Sequence, residues 1–186
     1  MTPIDNERIA FYFRHHEDIQ KWAAIRNELP DHVHRCLLDL SPRFRDLANE
    51  LQVYPSPLDL DTRNPKLLLA RAGWTSSERP CVAIGLEWRQ DRVNLIDQHP
   101  YAGVWVDMRA AGGADLCSLL VEALASVRKE EGYRADGWWP AFASVPPDPG
   151  DSFWQDPSGY VDKVVEEVRR AWWGCADVVD EVLSHL

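Results

Sequence analysis

Charged side chains and an indole recur at every second position along two segments in the middle of the chain. Glu87 and Arg89 alternate with apolar residues in the first segment, and Trp105, Asp107 and Arg109 do so in the second. If the two segments are neighbouring strands, the five side chains share one face of a sheet. Such a group could bind a ligand or a partner protein. The alternative is a solvated sheet face with cross-strand ion pairs that contribute little to stability.

An aromatic segment later in the chain is the second candidate for binding. Trp138 and Trp139 are adjacent, and Trp154 follows a proline-rich stretch. Tryptophan is enriched among the residues that dominate binding energy at protein interfaces. We therefore predict that these indoles contact a partner. The alternative is that they attach a long loop to the core.

Two triplets, at residues 57–59 and 87–89, raise an enzymatic alternative. Their sequences, Pro-Leu-Asp and Glu-Trp-Arg, loosely resemble the acidic motif of PD-(D/E)xK nucleases. The resemblance implies a metal ion that orients a water molecule. Its ligands would be Asp59, Glu87 and Asp107. However, Arg89 stands where that family has lysine, and arginine stays protonated. We therefore do not assign the chain to that family, and we predict no catalytic residue, no metal ligand and no cofactor.

Other catalytic signals are missing from the sequence. It has no nucleophile elbow, no phosphate-binding loop and no dinucleotide fingerprint. His32, His34 and Cys36 lie close together, but a zinc site needs four ligands and no second cluster follows. We predict that the two histidines lie on the surface and that the cysteine lies in the core.

The charge balance indicates the kind of partner. The chain has 30 acidic and 20 basic residues, for a net charge of −10. Nucleic-acid binders carry basic patches, so this balance argues against a nucleic-acid partner. Acidic charge favours encounter with a basic protein, although it also simply promotes solubility. We predict a protein-binding module of the immunity-protein, antitoxin or inhibitor type. A self-associating subunit is a further alternative, with a homodimer interface in the helix over residues 161–186 or in the Trp138 segment.

Cysteine usage and the N-terminus indicate the compartment. The four cysteines are far apart and form no CxxC pair, which is typical of a reducing environment. The first residues resemble no signal peptide, and no apolar run approaches the roughly 18–20 residues that span a bilayer. We predict a cytoplasmic protein without membrane contact.

Hydrophobic periodicity predicts the elements that position these residues. Residues 1–52 have helical spacing with joints at Pro30 and Ser41, and residues 53–65 form a proline-rich loop. Residues 66–109 predict a mainly antiparallel meander of three to four strands, because the connections are too short for helical crossovers. The expected strands are 67–72, 82–88, 93–96 and 102–108.

The remainder of the chain, residues 114–186, is predicted to be helical on both sides of a loop. Gly132 ends the first helix, and a loop rich in proline, glycine and tryptophan covers residues 132–158. The last helix begins near residue 156 and carries a long apolar stripe. We therefore predict a single α+β domain over residues 1–186, in which the two C-terminal helices pack on the sheet.

Overall fold

The computed structural model describes residues 6–76, 79–148 and 158–186. The helices within these ranges are α1 (Asn6–Leu38), α2 (Ser41–Leu51), α3 (Gly113–Ala123), α4 (Ala125–Glu131) and α5 (Ser158–Ser184). The strands are β1 (Tyr54–Leu58), β2 (Lys66–Ala70), β3 (Thr75–Ser76), β4 (Arg79–Pro80), β5 (Val82–Glu87), β6 (Tyr101–Val106), β7 (Arg134–Asp136) and β8 (Trp139–Ser144). The predicted α+β class is confirmed.

Six of these strands form one antiparallel sheet in the order β1-β2-β5-β6-β8-β7, and β3 pairs with β4 separately. The antiparallel arrangement was predicted, but three to four strands was an underestimate. One missed strand, β1, lies in the proline-rich segment 53–65. Proline is tolerated there because β1 is an edge strand that pairs on one side only. The other two, β7 and β8, lie inside the predicted loop 132–158.

The central strands β5 and β6 are covered on both faces. Period-two alternation predicted half-buried strands, yet all six residues of β5 and all but the first of β6 are buried. Glu87 and Trp105 therefore do not lie on a solvated face, whereas Arg109 is exposed. Gly85 and Gly103 are paired across these strands, and a Cβ at Gly103 would lie 2.6 Å from the Cα of Phe142 on β8. Only glycine fits so close an approach of two strands.

Helices pack on this sheet as predicted, although their number differs. Helix α5 packs on β5 and β6, while α2 packs on β1 and β2. A break at Leu124 divides the predicted first C-terminal helix into α3 and α4. The predicted stop at Gly132 is confirmed, since its φ of +71° caps α4 in the left-handed conformation. The buried stripe of α5 includes Val164, Val168, Trp172, Cys175 and Val179.

Helix α1 continues through Pro30, so the predicted joint at that residue is wrong. Proline removes one backbone hydrogen bond, but the apolar face of Leu29, Val33 and Leu37 continues on both sides of it. Only the C-terminal part of α1 contributes fully buried side chains to the core. Residues 7–28 are exposed except for the half-buried Ile19. No helix in the described ranges has an apolar stretch long enough to cross a membrane.

His34 joins the end of α1 to the segment after β5. Its side chain is buried, and its Nδ1 accepts a hydrogen bond from the indole Nε1–H of Trp88 at 2.9 Å. Burial lowers the pKa of His34, against the opposite effect of Asp31. The predicted surface position is therefore wrong for this histidine. Cys36 is half-buried rather than in the core.

The predicted strand over residues 93–96 is a turn. The side-chain oxygen of Asn94 accepts hydrogen bonds from the backbone N–H groups of Ile96, Asp97 and Gln98. Leu95 has a φ of +58°, which no strand residue adopts. Asparagine competes with strand pairing in this way because its short side chain bonds to nearby backbone.

Candidate binding cleft

A small cleft opens on one face of the central sheet. The register pairs Glu87 with both Lys66 and Tyr101, and strand parity places Trp105 on the same face. The cleft has a volume of about 190 Å³. Its lining residues are Asn64, Lys66, Glu87, Tyr101, Trp105, Arg109, Asp136, Trp138 and Trp139.

The floor of the cleft contains a buried ion pair. The Nζ of Lys66 lies 3.0 Å from Oε2 of Glu87 and 3.7 Å from Oδ2 of Asp59, and it donates to the backbone oxygen of Asn64 at 2.9 Å. Only 6% of the Lys66 surface is exposed. A buried lysine is rare and needs partners, because an isolated ammonium loses its hydration. Here three oxygens surround the amine.

Tyr101 completes this network from the neighbouring strand. Its hydroxyl donates a hydrogen bond to Oε1 of Glu87. Burial, reinforced by the charge of Glu87, raises the pKa of Tyr101 well above its usual value. The phenol therefore stays protonated at neutral pH. Lys66, Glu87 and Tyr101 thus engage one another in the floor of the cleft.

Trp105 provides a hydrogen-bond donor that this network does not use. Its surface is only 2% exposed, and its Nε1–H is buried without an acceptor among the described residues. A buried donor without a partner costs about 1–3 kcal/mol. Trp105 is also among the residues that line the cleft.

The rim of the cleft combines a cation with an aromatic ring. The Cζ of Arg109 lies 5.6 Å from the ring centroid of Trp138, within the range of a cation–π contact. Both side chains are exposed. The carboxylate of Asp136 lies nearby and accepts the backbone N–H of Gly137 at 2.5 Å. With Lys66, the cleft therefore has two cations and, with Glu87, two anions.

An irregularity in β8 brings Trp139 into the wall. Arg134 pairs with Phe142, and Asp136 pairs with Trp139. Between these two pairs the chain advances by three residues on β8 but by only two on β7, so β8 contains one extra residue. Such a bulge changes the side of the sheet to which a residue points. The Trp139 ring meets the Tyr101 ring edge to face, with centroids 5.1 Å apart and an interplanar angle of 80°.

The structure brings five of the eight residues predicted for binding to this cleft. These five are Glu87, Trp105, Arg109, Trp138 and Trp139. Arg89 and Asp107, which follow the ends of β5 and β6, lie outside the lining: Arg89 has its Nε 3.6 Å from Oδ1 of Asp91, and Asp107 accepts the backbone N–H of Arg109 at 3.0 Å. Trp154 lies outside the described residues. A binding role for the group stays a prediction.

Sequence reasoning missed four lining residues. They are Asn64, Lys66, Tyr101 and Asp136. Tyr101 shares the alternation of Trp105, so its side of the strand was visible in the sequence. Lys66 is one of only four lysines in the chain and begins an otherwise apolar strand. An isolated charge at such a place was the available signal.

Two of the three metal ligands of the nuclease alternative, Asp59 and Glu87, lie at this floor. The amine of Lys66 lies between the carboxylates of Asp59 and Glu87, and Asp107 bonds to its own turn. In the part of the chain that the structure describes, no three His, Cys, Asp or Glu side chains are close enough together to hold a metal ion. The alternative stays a prediction.

Comparison with known proteins gives no family. No protein-family model matches the chain, and neither the curated proteins nor the solved structures contain a match.

Proposed function

We propose that this chain is a non-catalytic protein-binding module, of the immunity-protein, antitoxin or inhibitor type, and that its cleft receives one residue or turn of a partner protein. The observation that carries the proposal is the buried indole N–H of Trp105, which has no acceptor within the described residues. A carbonyl oxygen of the partner would accept that hydrogen bond. Arg109 and Trp138 would contact the partner at the rim.

The size of the cleft favours a protein partner over a small-molecule substrate. Small-molecule sites commonly enclose about 300–1,000 Å³. The cleft has about 190 Å³, which suits a single side chain or a tight turn. A small anchor pocket with exposed aromatic and arginine side chains at its rim is typical of an interface hot spot.

The charge of the chain supports a basic partner. A net charge of −10 attracts a basic protein over a distance and orients the encounter. The cleft itself has equal numbers of cations and anions, so the anchor contact needs a polar, uncharged acceptor. A backbone or side-chain carbonyl on a basic protein satisfies both conditions. The four free cysteines support a reducing compartment, and we propose the cytoplasm.

The test is a capture experiment with matched tryptophan variants, using the full chain as bait in lysate of its native host. The informative variants are Trp138→Ala and Trp105→Phe, and the control is Trp173→Ala, because Trp173 is 70% exposed on α5 and does not line the cleft. The expected result is one stoichiometric basic protein that the control retains and Trp138→Ala loses. A partner that all three variants retain, or one that the control also loses, would contradict the proposal.

Calorimetry with the captured protein then measures the cleft contacts. Trp105→Phe should weaken binding by about tenfold, because it removes one hydrogen bond of about 1.4 kcal/mol. Trp138→Ala should weaken it by at least about 30-fold, the effect of an interface hot spot. Urea unfolding of each variant shows whether the fold is intact. Equal affinities for the wild type and Trp105→Phe would show that the indole N–H has no role in binding.

A direct titration separates the nuclease alternative from this proposal. We expect no calorimetric signal from Mg²⁺ or Mn²⁺. Metal binding that Asp59→Asn abolishes would instead support the nuclease. Glu87→Ala is a poor test of catalysis, because it leaves Lys66 without its closest carboxylate in a buried site.

A further inference from the structure

The N-terminal part of α1 is an exposed arm. Residues 7–28 lie at the surface, apart from the half-buried Ile19. At about 1.5 Å per residue the arm is about 33 Å long. Its exposed large apolar side chains are Ile9, Phe11, Tyr12, Phe13, Trp22 and Ile25. Exposed large apolar side chains in such number indicate an interaction site.

One face of the arm has the spacing of a helix-pairing surface. The residues of this face, which we call the α1 seam, are Phe11, His15, Asp18, Trp22, Ile25 and Leu29. They follow at intervals of four and three residues, as in paired helices. The rings of Phe11 and His15 are 4.5 Å apart, which places both on the same face. Phe13 lies about 200° around the helix from Phe11 and points away from the seam.

The seam ends in an apolar groove beside the turn at residues 93–98. The groove has a volume of about 660 Å³. Its lining residues are Trp22, Ile25, Arg26, Leu29, Asn94, Ile96 and Asp97. Trp22 is 69% exposed and Ile96 is 71% exposed, so the groove has two large apolar walls in contact with solvent.

We propose that a second copy of this chain covers the seam, with the two α1 arms antiparallel and the two-fold axis beside His16 and Glu17. In this register Phe11 faces Trp22 of the second copy and lies in its groove beside Ile96. By symmetry the same contact forms twice. The inference does not depend on the cleft.

The polar centre of the seam is self-complementary in the antiparallel orientation. The polar centre of the seam consists of His15 and Asp18, and Asp18 makes an exposed 3.7 Å ion pair with Lys21. Antiparallel pairing places each His15 opposite Asp18 of the second copy. Parallel pairing would place Asp18 against Asp18, and like charges in a seam repel.

The area of the contact sets its strength. Phe11 and Trp22 expose 55% and 69% of their surfaces, and such side chains bury about 150–250 Å² each when fully covered. With Ile25 and the polar side chains of the seam, the two copies together bury on the order of 1,000 Å², near the lower limit for a specific interface. We therefore expect a dimer that dissociates in the micromolar range.

Sedimentation velocity of the purified chain from about 1 μM to about 200 μM tests the pairing. The expected result is a concentration-dependent dimer. Trp22→Glu should raise the dissociation constant at least about tenfold, because it places a charge in the seam. Phe13→Glu is the matched control and should change the constant less than about twofold, although Phe13 is 72% exposed. These side chains are exposed in the single chain, so the variants should fold.

A charge exchange tests the orientation. Asp18→Lys should weaken the dimer, and the double variant Asp18→Lys with His15→Glu should restore it, because the introduced lysine and glutamate then face each other across the antiparallel seam. In a parallel pair the double variant would keep like charges together and remain weak.

A chain that stays monomeric at the highest concentration overturns the proposal. It is also overturned if Phe13→Glu weakens the dimer as much as Trp22→Glu, or if the double variant fails to restore it. Trp138→Ala should leave the dimer unchanged, so failure of the cleft proposal and failure of this one are distinguishable.

Discussion

Replacing Lys66 with methionine should destabilise the fold through the carboxylate that it leaves behind. The Nζ of Lys66 lies 3.0 Å from Oε2 of Glu87, and both side chains are buried. At an effective dielectric constant of about 20, a pair at this distance interacts by about 5–6 kcal/mol. Loss of the lysine removes this interaction but also its own desolvation cost. We expect a net loss of about 3–5 kcal/mol, as for other broken buried pairs.

The assay is urea unfolding followed by tryptophan fluorescence, with the slope of the transition checked for each variant. The double variant Lys66→Met with Glu87→Gln should lose less than the sum of the single changes, because a neutral amide no longer needs a cation. The amide introduced at position 87 can still accept the Tyr101 hydrogen bond. Lys21→Met is the control, since the Lys21 pair with Asp18 is exposed, and it should change stability by less than about 0.5 kcal/mol.

Two results would refute this reasoning about the floor of the cleft. One is a loss below about 1 kcal/mol for Lys66→Met, which would mean that water solvates Glu87. The other is strict additivity of the two single changes, which would mean that the charges do not interact.

Three further predictions concern the core. Burial lowers the pKa of His34, whose Nδ1 accepts a hydrogen bond from Trp88. The unfolded chain therefore binds a proton at this histidine before the folded chain does, as the pH falls below about 6.5. We expect the free energy of unfolding to decrease from about pH 7.5 to about pH 5.5. In the variant His34→Gln the urea midpoint should change less with pH than in the wild type. The same pH dependence in both proteins would contradict this prediction. Burial raises the pKa of Cys175 to about 12. Iodoacetamide at about pH 8 should therefore modify this thiol only when urea unfolds the chain, which mass spectrometry can measure. Equal labelling of the folded and unfolded chains would contradict the burial of Cys175. Gly103→Ala should lower the free energy of unfolding in urea by about 1–3 kcal/mol or more, because the new Cβ would lie 2.6 Å from a backbone Cα of β8. Gly137→Ala is the control, since a Cβ at that position would have no atom within 4 Å. Similar losses of stability in the two variants would show that crowding is not the cause.

The sequence alone contained the central strands and the pattern of the last helix. Period-two alternation identified β5 and β6, and the stripe from Val161 identified α5. The left-handed residue Gly132 ended its helix where glycine is expected to do so. Each of these signals is local, because it depends on residues within a few turns or strand positions of one another.

The same alternation identified part of the candidate site. It placed Glu87 and Trp105 on one face, and the structure brings both to the cleft. It could not show that Lys66 neutralises Glu87, because strand register joins residues 21 positions apart. Trp139 enters the wall through a bulge, and periodicity contains no information about an extra residue.

Burial was decided by the tertiary structure alone. The α1 stripe around Trp22 and the α5 stripe around Val168 both have helical spacing, yet Trp22 is exposed and Val168 is fully buried. Periodicity records which residues share a face of a helix, but it does not record what that face meets. For Val168 the chain itself supplies the covering sheet. For Trp22 no other part of the described chain covers the ring, and this physical difference makes α5 part of the core and leaves the N-terminal part of α1 at the surface.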